Sequence, residues 1–348
     1  MSERANVAIR LSKQATPPPG NARYAIEEEV LAPLAQLTEI SADADHRLDD
    51  TIDALIVSWG VRLDAPIISR LTRCRIIAVG SIGVDTVDVA AATAAGIVVT
   101  NVPDIFIEDV ADHTLLLLLA TWRQLKQADG LATSNRWYEG RQMLGEVPRL
   151  MGRTLGLFGF GHVARCVARR ATAFGMRIIA FDPYVSELVM TRHGVEPVGL
   201  GELFQRTDLL SLHAPLNEET RHVVNRQTLE LMRPGAVLVN TARGGLINEA
   251  DLLDALQHGA LRAAGLDVLE HEPPGPDNPL LRLPNVIVSP HVAAATTRMR
   301  RESRRRAALE VSLVLRGRWP MAAVNPSVLP RLPLERWQPY PQDRGPNA

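Results

Sequence analysis

The sequence predicts an α/β fold of two doubly wound, parallel-sheet units, and three observations carry that expectation. Short, continuous apolar runs recur along the chain between longer segments of helical period, the pattern of parallel strands covered on both faces. The runs fall into two series separated by a leucine-rich helix. The second series opens on a glycine turn set between a strand and a helix. At 348 residues, 46% hydrophobic and 22% charged, the chain is long enough for two ordinary cores and far too apolar to be disordered.

In the first series, strands are expected over residues 7–9, 54–58, 76–79 and 97–100. Residues 108–127 read as one helix, because Val110, Ala111, Thr114, Leu115 and Leu118 recur at helical spacing. Its leucine run is wide enough to be buried on more than one side, against its own sheet and against a second subunit. Residues 129–150, with Trp137, Tyr138 and Met143, have no clear period and are expected to form an extended arm. The second series places strands at 154–158, 178–181, 209–213, 237–240, 264–268 and 286–289. A last helix over 297–316 is expected to carry the chain back to the first domain, and the proline-rich end from Pro326 to form no element.

Composition narrows the partners. Lys and Arg number 38 against 39 Asp and Glu, a formal charge of -1, which calls for neither nucleic acid nor a membrane surface. A small molecule is the expected partner. Lys13 and Lys126 are the only lysines, so Schiff-base chemistry has almost no candidates. Cys74 and Cys166 are too few for a zinc cluster, no metal is expected, and they suit a reducing cytoplasm better than a disulfide scaffold. The start, MSERANVAIR, lacks the apolar stretch of a signal peptide, and the apolar run 115–120 is far shorter than the ~18 to 20 residues of a membrane span. Arg298, Arg300, Arg301, Arg304, Arg305 and Arg306 crowd the last helix, but Glu302 and Glu310 interrupt them and no aromatic platform accompanies them. A solvated or domain-bridging helix is expected there.

The run Leu155-Gly156-Leu157-Phe158-Gly159-Phe160-Gly161-His162-Val163-Ala164 is an apolar strand entering G-x-G-x-x-A and then a helix. Such a turn needs residues without side chains where backbone meets a pyrophosphate, and the helix start supplies N–H groups and a positive dipole end. The next strand ends in Asp182, 21 residues after Gly161 and followed by Pro183. An acid at that point holds adenosine ribose hydroxyls and repels a 2′-phosphate, which favours NAD over NADP. Asp-Pro is also a common turn opener, but strand, glycine turn, helix, strand and acid in order point to a Rossmann-like dinucleotide site.

Ligands of open α/β sheets sit beyond the carboxyl ends of the strands. Three strand ends of the second series there carry Arg243, Glu270 with Glu272, and His291. Beside a nicotinamide, an imidazole can take or give the proton of a secondary alcohol, and a carboxylate can orient it. A guanidinium can hold a substrate carboxylate through two parallel hydrogen bonds. Each residue alone has a plainer reading: Arg243 as an ion pair, Glu272 as a solvated loop acid, His291 as a buried histidine.

These segments resemble the D-isomer-specific 2-hydroxyacid dehydrogenases. The resemblance covers residues 76–325 and rests on Asn240-Thr241-Ala242-Arg243-Gly244, Leu266-Asp267-Val268-Leu269-Glu270-His271-Glu272-Pro273 and Ser289-Pro290-His291. It implies Arg243 as the substrate-binding arginine, Glu272 as the acid paired with the histidine, and His291 as proton donor in 2-oxoacid reduction. It implies NAD held by Gly159, Phe160, Gly161, His162, Val163, Asp182 and Pro183, bordered by His213, Ala214, Pro215, Thr220, Thr241, Ala242, Arg243, Asp267 and His291. Gly80-Ser81-Ile82-Gly83-Val84-Asp85 resembles the family loop that receives the substrate carboxylate, with Ser81, Ile82 and Gly83 as its N–H donors. His162 stands where the family often has arginine or lysine.

The same resemblance implies a discontinuous, flavodoxin-like substrate domain (1–103 and 296–328), an NAD-binding domain (104–295), and a proline-rich tail (329–348). A homodimer is implied around residues 104–150. A second reading is an NAD(H)-responsive binding protein like the C-terminal binding protein co-repressors, which residues 101–112 resemble. Those proteins carry a tryptophan shortly after the histidine, and residues 292–295 here have none. Glu272 argues against the formate dehydrogenase branch, which uses glutamine there.

Overall fold

The structure, a computed structural model, describes residues 4–11, 23–41, 43–145 and 147–336. The chain divides into two compact units, Met1–Ile105 with Thr296–Ala348, and Phe106–Ala295.

The first unit begins with β1 (Ala5–Arg10), α1 (Ala25–Leu31), β2 (Ala35–Ile40), β3 (Ala54–Val57), α2 (Ala65–Arg70), β4 (Ile76–Val79), α3 (Val89–Ala94) and β5 (Val98–Thr100). Its strands form one parallel sheet in the order β2-β1-β3-β4-β5, the flavodoxin-like order. β3, β4 and β5 are buried along their whole length, which is why they read as continuous apolar runs. Asp64 and Asp88 start α2 and α3 by accepting the N–H groups of Ile67 and Ala91. β2 has no counterpart among the expected strands, because at the sheet edge its middle residues are partly exposed and, apart from Leu37, polar.

The second unit contains α4 (Ile107–Trp122), α5 (Leu125–Thr133), α6 (Trp137–Gly145), β6 (Thr154–Phe158), α7 (His162–Ala173), β7 (Arg177–Phe181), α8 (Glu187–Arg192), β8 (Glu196–Pro197), α9 (Leu200–Arg206), β9 (Leu209–Leu212), α10 (Arg226–Glu230), β10 (Ala236–Asn240), α11 (Glu249–Gln257), β11 (Leu261–Leu266) and β12 (Val286–Val288). The sheet runs β12-β11-β10-β9-β6-β7-β8, all parallel, so strand order reverses at the β6/β9 pair. That reversal is the switch point where doubly wound sheets open a crevice. One core packs Leu155, Leu157 and Val239 beneath α4 and α7, and another fills the opposite face with Phe204, Leu210 and Leu238.

Two expectations for this unit are corrected. The helix expected over 108–127 ends at Trp122, because Gln124 takes a left-handed conformation (φ 50°) and α5 starts anew at Leu125. The stretch expected as an extended arm is helical, forming most of α5 and all of α6. Neither helix has a buried side chain, so neither presents the apolar stripe from which a period is read.

The chain re-enters the first unit through α12 (Thr297–Leu315), whose Ala307, Ala308, Val311 and Val314 pack on Val7, Ile9, Ile56 and Ile76. Three of its arginines are paired within that unit: Arg304 with Glu27, Arg305 with Glu29, Arg306 with Asp104. α12 is therefore packed along one face, while Arg298, Arg300 and Arg301 near its start are exposed, as expected of a solvated face. Residues 329–336, expected as part of a separate tail, bond to the first unit through Arg331, which donates to the carbonyls of Ala95 and Leu71. The rest of that tail, 337–348, and Lys13 lie outside the described residues. Among the described residues no helix is long and apolar enough to cross a membrane, and Cys74 and Cys166 are both free thiols.

Candidate active site

The three residues expected to act together stand on consecutive strand ends of the second unit. After β10, Asn240 is fully buried and shapes the turn: its Oδ1 accepts the Ala242 N–H (3.0 Å) and its Nδ2 donates to the Arg243 carbonyl (2.8 Å). Gly244 follows, and a Cβ there would collide with the backbone of Leu269 and Glu270. The arginine turn is thus packed directly on the loop after β11. That loop carries Glu272, whose Oε1 accepts the Leu269 N–H (3.0 Å), and Glu249 braces it by accepting the Glu270 N–H (2.7 Å).

Beyond β12, His291 has a left-handed backbone (φ 52°), a conformation that costs energy for a non-glycine residue and marks functional turns. The turn is held by Asp267, 2% exposed. Its carbonyl accepts the His291 N–H (2.8 Å), and its carboxylate accepts the N–H groups of Val292 and Ala293 (2.9 Å each) and the Ser289 hydroxyl (2.6 Å).

In this frame His291 Nδ1 and Glu272 Oε2 are 2.6 Å apart. Burial alone would raise the Glu272 carboxyl, but the bond to His291, its charge, the Leu269 N–H and the charge of Arg243 together hold it below its usual range. A carboxylate only accepts, so the hydrogen of this bond belongs to Nδ1.

At the glycine turn, Gly159 adopts φ 89°, and a Cβ there would stand 2.8 Å from the Ala214 nitrogen. Only glycine lets the loop after β9 lie on the turn. At Gly161 a Cβ would meet nothing within 4 Å, and no side chain caps the start of α7. Asp182 accepts the Phe160 N–H on Oδ2 (2.8 Å) and the Tyr184 N–H on Oδ1 (2.9 Å), which fixes its carboxylate beside the turn. Open space at Gly161, an uncapped helix start and a fixed acid fit a dinucleotide: the first N–H groups of α7 would take the pyrophosphate and Asp182 the ribose.

A family model matches residues 115–293, and its description is "D-isomer specific 2-hydroxyacid dehydrogenase, NAD binding domain". The chain belongs to the D-isomer-specific 2-hydroxyacid dehydrogenase family. It is 41% identical over 289 residues to the D-3-phosphoglycerate dehydrogenase of Methanocaldococcus jannaschii, covering 83% of this chain and 54% of that protein. It is 39% identical to the glyoxylate reductase of Korarchaeum cryptofilum, covering 80% of this chain and 84% of that one. A crystal structure of a Thermus thermophilus protein superposes with a TM-score of 0.79 at 34% identity, covering 91% of this chain and 99% of that one. The chain spans about half the length of the phosphoglycerate dehydrogenases it matches. Both named relatives are enzymes, and neither supports the co-repressor-like reading.

As a member of this family, the chain has its remaining candidates in varied settings. Thr241 is buried, with its hydroxyl on that of Thr114 (2.7 Å). His213 has Nε2 2.9 Å from Ser211 Oγ, and burial of the ring pushes its pKa down to about 4, so it is neutral. Thr220 closes its own loop by donating to the Pro215 carbonyl (2.6 Å). His162 and Pro183 are exposed, and Val163 and Ala242 are half-buried. The Phe160 side chain is wholly buried and its N–H donates to Asp182. In the first unit, Ser81, Ile82 and Gly83 form the loop after β4. The loop's carbonyls accept bonds from Val102 N–H at Ser81 (3.0 Å), Asn101 Nδ2 at Ile82 (2.7 Å) and Ser81 Oγ at Gly83 (2.9 Å).

Sequence reasoning gave no role to Ser289, Asn240 or Glu249, or to His222, whose Nε2 is 2.6 Å from Glu270 Oε1. Their partners are far along the chain or lie within irregular turns, and no local spacing announces them.

Proposed function

We propose that this chain catalyses NAD-dependent interconversion of a D-2-hydroxyacid and its 2-oxoacid. The observation that carries the reading is the 2.6 Å bond between His291 Nδ1 and Glu272 Oε2, within reach of the charge of Arg243.

Bound NADH supplies the hydride for reduction. In that direction His291 delivers a proton from Nε2 to the carbonyl oxygen of the substrate, and Glu272 stabilises the imidazolium that carries it. In the reverse direction the neutral ring takes the hydroxyl proton. Arg243 grips the substrate carboxylate and polarises the neighbouring carbonyl, for which a guanidinium is better shaped than an ammonium. In the first unit, the N–H groups of Ser81, Ile82 and Gly83 are offered to a substrate carboxylate. The acid at Asp182 supports NAD over NADP.

Within the same proposal the protein works in the cytoplasm as a homodimer, with Leu116, Leu125, Trp137 and Tyr138, all exposed on α4 to α6, offered to a second copy. The test is NADH oxidation over small, branched, aromatic and phosphorylated 2-oxoacids, repeated with NADPH. Turnover of at least one of them, faster with NADH, is expected; no turnover of any contradicts the assignment.

A further inference from the structure

His113 lies on α4, remote in sequence from every residue assigned above, yet its Nε2 is 2.9 Å from Ser289 Oγ and 3.5 Å from Asp267 Oδ1. Its side chain is 17% exposed and that of Asp267 is 1% exposed. His113 thus places a basic side chain within 4 Å of this buried carboxylate.

Counting protons fixes the direction of the bonds. Ser289 has a single hydroxyl hydrogen, and its Oγ lies 2.6 Å from Asp267 Oδ1, an acceptor. That hydrogen points at Asp267, so Ser289 presents a lone pair to His113, and the hydrogen of the 2.9 Å contact sits on His113 Nε2. The chain of donors runs from imidazole to hydroxyl to carboxylate. The carboxylate at its end accepts the N–H groups of Val292 and Ala293, the two residues after His291. The next residue on the same helix, Thr114, meets Thr241 (2.7 Å), two positions before Arg243. One turn of α4 therefore touches the strand ends that bear both the imidazole and the guanidinium.

We infer that His113 is a positioning residue for proton transfer: its Nε2–H, through Ser289, fixes the Asp267 carboxylate that holds the His291 turn. A buried carboxylate chain that loses its outermost donor leaves Ser289 free to rotate away from Asp267 and loosens a turn that already holds His291 in the left-handed region. The inference rests on the proposed function, since the effect is read in turnover.

The test compares the parent with His113→Ala, His113→Gln and Ser289→Ala, using NADH and the 2-oxoacid the parent reduces best. The parent's histidine tautomers are read by 15N NMR, with the His113 signals assigned by their loss in His113→Gln. His113→Ala is expected to lower kcat by about tenfold to a hundredfold, the cost of a displaced catalytic group, with KM for NADH within about threefold. Ser289→Ala should fall similarly. His113→Gln, whose amide can place an N–H near the position of Nε2, should recover most of the loss. In the parent, His113 should carry its hydrogen on Nε2. Parental kcat in His113→Ala, no recovery in His113→Gln, or an Nδ1–H tautomer would each overturn the inference. If the parent reduces no 2-oxoacid, the proposed function fails instead, while the tautomer still decides the role of His113.

Discussion

Gly244 lies so close to the Leu269 carbonyl that no Cβ fits between them. The turn presenting Arg243 and the loop presenting Glu272 are consequently one packed unit, and the obstruction is backbone on both sides, which cannot swing away. Gly244→Ala should therefore destabilise the protein by about 1–3 kcal/mol through overpacking and displace Arg243 from Glu272. Urea unfolding and steady-state kinetics check both effects; unchanged stability and activity would show that the two loops separate freely.

Glu272 gives a pH prediction with a definite sign. Its folded carboxyl is held below the ordinary value of 4.5, because the His291 bond and charge, the Leu269 N–H and Arg243 outweigh the effect of burial. A carboxyl lowered on folding contributes stability that is full above its unfolded pKa and disappears as pH falls through the folded one. The stability gap between the parent and Glu272→Gln should thus be widest at neutral pH and narrow below about pH 4.5. Unfolding free energies at several pH values measure it, and a gap that widens on acidification would contradict the assignment.

Asp182 should govern the choice of cofactor. Replacing it with Asn keeps an oxygen for the Phe160 N–H, 2.8 Å away, but removes the charge that opposes a 2′-phosphate. The ratio of kcat/KM for NADH over NADPH should fall by about tenfold, the order of one pK unit of electrostatic discrimination. A ratio unaffected by the substitution would remove Asp182 from the discrimination.

In the first unit, Arg304 anchors α12 to α1. Its Nε donates to Glu27 Oε1 (2.7 Å), and the Glu27 carboxylate is 2% exposed. Arg304→Ala strands a buried charge and should cost about 3–5 kcal/mol, whereas Arg304→Met with Glu27→Leu should recover much of it. Thermal and urea unfolding of the single and double variants decide the point.

The sequence carried most of this architecture where burial was two-sided. Ile76 to Val79 and Ala236 to Asn240 are buried throughout and could only be read as inner strands. The signal faded where one side meets solvent: β2 alternates weakly, β8 is two residues long, and α5 and α6 bury nothing. At the site, Arg243, Glu272 and His291 were legible because each follows a recognisable strand. The contact of His113 was not legible, since its partner Ser289 is 176 positions away and nothing in either segment announces it. Likewise, the split of the expected 108–127 helix turns on the backbone of Gln124, a residue type that commonly continues a helix.

The central claim is that His291 moves the proton while other residues hold the ligands. The direct measurement sets NADH affinity, by fluorescence titration, beside kcat for the best 2-oxoacid in the parent and in His291→Ala. The account predicts NADH binding within about threefold of the parent and kcat lower by about 10²–10⁴-fold, the usual contribution of a positioned general acid. A His291→Ala variant that binds NADH and turns over at the parental rate would contradict it.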